Sequence, residues 1–181
     1  MVKFASLINQ KFKNIAGSRY EEILKAYEDF FLTEEEMIIP EVNSVLIALD
    51  RYSEEVPEEV YEAVSAYPGA RFLLVYMIDE NVLRLIRGTL GEKEVQKFQE
   101  KEEQLAEERL SKVEKRLREL GISPRRELVF GDKGEYIEEL ANEHDLIVIS
   151  KHYGSETTKT HPVSPVVFRV VQHVGKPVII Y

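Results

Sequence analysis

Asp145-Leu-Ile-Val-Ile149, Ser150-Lys-His-Tyr-Gly154, Ser164-Pro165 and Pro177-Val-Ile-Ile-Tyr181 form the stretch on which the fold turns. Its two apolar runs are short and unbroken by alternating polar residues, the pattern of strands buried on both faces. Between them lie a loop and a helical spacing near 164–173. In a parallel α/β sheet, ligands bind beyond the carboxyl ends of strands, where a loop meets a helix N-terminus. Residues 150–167 should therefore form much of any small-molecule site.

Working backward, the same alternation repeats. Glu127-Leu-Val-Phe130 reads as a short strand closed by Gly131-Asp132, with a helix over 134–143 that turns Tyr136, Ile137, Leu140 and Ala141 inward. A long helix rich in Glu, Lys and Arg runs from Glu92 to Leu120. Val95, Phe98, Leu105, Leu110, Val113, Leu117 and Leu120 are its buried side, and Gly121 is its stop. Its charged face reads as solvated, with i,i+4 pairs. Residues 82–91 fit no single period. Phe72 to Ile78 is a strand, Ser53 to Tyr67 a helix with Pro57 in its opening turn, and Ser44 to Leu49 a buried strand ending at Asp50. Apolar strands alternating with amphipathic helices predict a three-layer, doubly wound parallel α/β sheet. Right-handed crossovers leave few topologies.

Residues 1–42 lie outside this alternation and read as a helical extension, with 43–181 as the α/β domain. Phe4, Leu7, Ile8, Phe12 and Ile15 keep helical spacing up to Gly17, and Ser18-Arg-Tyr-Glu21 has capping-box spacing. Tyr20, Ile23, Leu24, Tyr27, Phe30 and Phe31 follow as one broad apolar face, which needs cover from its own domain, a dimer mate or another protein. Seven acidic residues among 21–36 argue against an anionic bilayer as that cover.

Composition narrows the function classes. The chain has 181 residues, 44% hydrophobic and 31% charged, and is globular by that balance. A net charge of −9 disfavours a nucleic-acid surface, which needs clustered Lys and Arg. The absence of Cys excludes disulfides, thiolate metal sites and cysteine nucleophiles. No apolar run has the length of a membrane span and no signal-peptide h-region opens the chain, so a cytoplasmic protein is expected.

Five landmarks in order resemble the universal stress protein family: Ala48-Leu49-Asp50 with Ser53-Glu54 after it, Met77-Ile78-Asp79, Gly131-Asp132, Asp145 to Val148, and His173 to Val178. The resemblance implies a five-stranded parallel sheet of order 3-2-1-4-5. It also implies a homodimer built on the last strand, since Val178-Ile-Ile180 is an apolar edge with no tail after Tyr181 to cover it.

Family members that bind ATP carry Gly-x2-Gly-x9-Gly-Ser/Thr after the fourth strand. Glycines there let backbone amides crowd around phosphates, and the final residue donates a hydroxyl. By the resemblance, this chain has Lys151 at the first glycine, Gly154 at the second, Ser164 at the third and Pro165 at the hydroxyl position. The spacing survives, but Lys151 adds bulk and Pro165 offers neither a hydroxyl nor an N–H. Asp50 is the residue that would hold the adenine or ribose, with Met77 and Val166 lining the base pocket. Independently of the resemblance, Asp50 also reads as a strand-end aspartate capping the next helix.

Other chemistry is less well marked. His144, His152, His161 and His173 form no metal-site spacing with carboxylates, although His152 and His161 share one loop. No Gly-x-Ser-x-Gly elbow, P-loop or Gly-x-Gly-x-x-Gly occurs. The expectation is a non-enzymatic stress-response or regulatory module, homodimeric, with no cofactor. The alternative is an adenine-nucleotide binder, with or without slow ATP hydrolysis, that holds ATP with Mg²⁺ through an altered 150–167 loop, where Lys151, Lys159, Ser155, Thr157 and Thr158 could contact an anion.

Overall fold

A computed structural model of the protein describes residues 41–158 and 162–181. The helices expected over 1–40, with Lys159 and His161, lie outside the described residues.

Strands β1 (Ser44–Leu49), β2 (Arg71–Asp79), β3 (Arg125–Gly131), β4 (Leu146–Ile149) and β5 (Val178–Ile180) form one parallel sheet of order β3-β2-β1-β4-β5. Helices α1 (Glu58–Ser65), α2 (Glu80–Leu90) and α3 (Glu92–Glu119) pack on one face. Helices α4 (Lys133–Asn142) and α5 (Pro165–His173) pack on the other. All six residues of β1 and all four of β4 are buried, because helices cover both sides. Val45, Ile47 and Leu49 point to the first core, and Leu46 and Ala48 to the second.

Among the described residues, side chains cap three of the five helix N-termini. Asp79 caps α2 through Asn81 N (2.9 Å), and Asp132 caps α4 through Gly134 N and Glu135 N. The ambiguous stretch 82–91 is α2, ended by Gly91 at φ 87°. Leu120 is exposed rather than buried. Gly121, at φ 80°, reverses the chain so that Ile122 N bonds Leu117 O (2.9 Å) and Ile122 enters the core instead. The helix expected from Ser53 begins only at Glu58, because residues 50–53 are drawn into a turn by Asp50. On α3 the buried face includes Glu102, whose carboxylate lies 3.4 Å from Arg51.

The sheet reverses its winding between β1 and β4. Asp50 and Ser150 follow those two strands, and both are fully buried. Crevices at such switch points are where α/β sheets accept ligands.

Candidate functional site

Everything at the switch point converges on Asp50. Its Oδ1 accepts from Tyr52 N (3.0 Å), Ser53 N (2.9 Å) and Ser53 Oγ (2.9 Å). Its Oδ2 accepts from Lys133 Nζ (2.6 Å) and Gly154 N (2.8 Å). A carboxylate offers about four lone-pair sites, so five donors saturate it. Ser53 Oγ also accepts from Asp50 N (2.9 Å), and Arg109 donates to the carbonyls of Asp50 and Ser53, which fixes the turn. The carboxylate therefore caps its own turn and not helix α1.

Lys133 opens α4, a position where a lysine ordinarily reaches solvent. It is 4% exposed here, and its ammonium sits over the rings of Tyr52 (4.8 Å to the centroid) and Tyr153 (6.0 Å). Tyr153 is also wholly buried, in the core beside Met77 and Val167. Burial, and then the charges of Asp50, Asp79 and Asp132, push its phenol well above the usual tyrosine range. Its hydroxyl has no hydrogen-bond partner among the described residues.

Gly154 adopts φ 91°, and a Cβ there would lie 2.5 Å from Cγ2 of Val166. Backbone and side chain thus interlock where only glycine fits. Ser164 caps α5: its hydroxyl donates to the Tyr153 carbonyl and accepts from Val167 N (3.2 Å). Pro165 occupies the first helical turn, where a missing N–H costs nothing. Lys151 turns outward to Glu54 (3.3 Å). On the same rim, His152 Nε2 meets Glu54 Oε1 (2.8 Å) and His152 Nδ1 meets Thr157 Oγ1 (2.6 Å).

The model of the universal stress protein family matches residues 42–181. The chain belongs to the universal stress protein family. Among solved structures, this universal stress protein is similar to hypothetical protein MJ0577, at 20% identity and TM-score 0.61, over 78% of this chain and 96% of that one. The universal stress protein UspA from Lactobacillus plantarum aligns at 17% identity and TM-score 0.62, over 78% and 99%. A universal stress protein from Archaeoglobus fulgidus aligns at 21% and 0.51, over 76% and 91%. At these identities the likeness is one of fold. The search of curated proteins found no match.

Against the residues singled out from sequence, the structure of this universal stress protein brings Asp50, Gly154, Val166 and Ser164 to one place. Met77 lies in the β2 core beside them, and Lys151 points away to the rim. Lys133 and Tyr153 were not foreseen. Nothing in the sequence marked either one, since a lysine after Gly131-Asp132 and a tyrosine in a polar loop both read as surface residues. Among the described residues, no group of three or more His, Asp or Glu side chains could hold a metal, and no helix is long and apolar enough to cross a membrane. A cleft of about 430 Å³ lies elsewhere, between α1 and α3, lined by Val56, Tyr61, Lys112 and Arg116 among others.

Proposed function

We propose that this universal stress protein is a cytoplasmic, non-enzymatic regulatory module that works as a homodimer and does not hold ATP in the manner of nucleotide-binding members. The observation that carries the reading is the saturation of Asp50. For a ribose or adenine to reach that carboxylate, it must displace the Lys133 ammonium or the Gly154 N–H. Separating a buried ion pair costs about 3–5 kcal/mol when one partner is left unpaired. The test is titration calorimetry with ATP and Mg²⁺, with AMP alongside. No heat of binding at millimolar nucleotide is expected, and binding that is lost in Asp50→Asn would overturn the reading.

The homodimer rests on the β5 edge. Among the described residues β5 pairs only with β4, and Phe168 (59% exposed), Val171 (43%) and Ile180 (41%) present apolar surface on α5 and β5. A second copy that continues the sheet would cover the edge. Sedimentation equilibrium should give a dimer that Ile180→Glu converts to monomer. A wild-type monomer at high micromolar concentration would rule the dimer out.

A further inference from the structure

The loop after β4 carries a second polar arrangement, in which the Asp50 carboxylate makes no bond. Glu54 Oε1 lies 2.8 Å from His152 Nε2, and Thr157 Oγ1 lies 2.6 Å from His152 Nδ1. Ser150 Oγ accepts from Glu54 N (3.4 Å) and His152 N (3.2 Å), so one buried hydroxyl holds both backbones in place. An ionised carboxylate can only accept, so Nε2 carries the proton facing Glu54. In the neutral imidazole Nδ1 is then an acceptor, and the Thr157 hydroxyl must donate to it. A hydroxyl on a base that a third group orients is the arrangement of an activated nucleophile. His152 is 20% exposed, so the pair is open to a small reagent.

From this geometry we infer that Thr157 is a self-modification site that accepts an acyl group from small activated acyl donors, such as aryl esters or thioesters. The threonine Oγ1 forms a bond to the acyl carbon while the bond from that carbon to the leaving oxygen or sulfur breaks. The hydroxyl proton passes to His152 Nδ1 and then to the leaving group, and Glu54 stabilises the imidazolium between the two transfers. The acyl-threonine no longer donates to His152, so modification releases the contact that closes residues 152–157 on themselves. This reading does not depend on whether Asp50 binds nucleotide.

The test uses the full chain with p-nitrophenyl acetate as donor and peptide mapping by mass. The expected result is acetylation of Thr157, with its rate reduced about 100-fold or more in His152→Ala and less in Glu54→Gln, the scale of general-base assistance. Thr157→Ser should keep the labelling. If His152 only tethers the loop, His152→Ala shifts the melting temperature but leaves Thr157 labelling at the wild-type rate, and the inference fails. Acetyl groups found only on lysines would also overturn it.

Discussion

Lys133 is the residue on which the buried Asp50 depends. Its ammonium is the sole cation within salt-bridge distance of that carboxylate among the described residues. Lys133→Met removes the charge and keeps the stem, leaving a carboxylate held by dipoles alone. A loss of about 3–5 kcal/mol in chemical unfolding is expected. Adding Asp50→Asn to Lys133→Met should return part of that loss, because no buried charge then remains unpaired. A double mutant no more stable than Lys133→Met would show that the pair is not coupled. Tyr153 behaves in the opposite sense. Its hydroxyl is buried and unpartnered among the described residues, so Tyr153→Phe removes a desolvated donor and should leave stability unchanged or raise it by about 1 kcal/mol. Gly154→Ala meets both a left-handed φ and the side chain of Val166, and a loss of about 1–3 kcal/mol is expected from the backbone alone. Val166→Ala in the same chain removes only the two γ-methyls and leaves the Val166 Cβ 2.6 Å from the new methyl, so it should return little of the loss.

Among the elements, β1 and β4 are joined by more than their ladder. Asp145 Oδ2 accepts from Asn43 N (2.9 Å) and Ser44 Oγ (2.9 Å), which ties the start of one strand to the start of the other. Those two donors, the Asn43 N–H first, hold the Asp145 carboxyl below its ordinary value of 3.8. A depressed carboxyl contributes stability that is fully present above the ordinary value and is lost as pH falls through the lowered one. The melting temperature should therefore drop below about pH 4, and Asp145→Asn should flatten part of that drop. Such strand-end devices explain how much of the fold was legible. Asp132 and Ser164 each sat before a helical period, and unbroken apolar runs marked the strands, so the layers followed, while the sheet order came from the family resemblance. The candidate site was legible only as far as Asp50, Gly154, Ser164 and Val166. The two donors to Asp50 Oδ2 come from positions 83 and 104 residues away, and no local pattern records a contact at that distance. The start of α1 was misplaced for a related reason: Asp50 drew Tyr52 and Ser53 into its own turn before a helix could begin.

Across the whole molecule, the phenols of Tyr76 and Tyr153 are both raised, in each case first by burial. An acid whose folded value is raised contributes stability that is fully present below its ordinary value and is lost as pH climbs toward the folded one. Unfolding should therefore accompany tyrosinate formation above about pH 10, with absorbance and circular dichroism changing together. Tyrosinate that forms while the circular dichroism stays native would contradict burial of these rings. At the β3 edge, Arg126 pairs with Glu107 (2.5 Å) and Glu114 (2.9 Å) of α3, so charge guards an edge where Leu128 and Phe130 are exposed. The closure around Asp50 also bears on descent. A lineage that begins with this arrangement and drifts toward an open pocket must first lose Lys133 or the Gly154 contact, and the carboxylate stays buried at that step. An intermediate weakened by several kcal/mol out of a usual 5–15 falls near the threshold for staying folded. Selection for stability alone would then keep the pocket shut, whatever the advantage of a ligand.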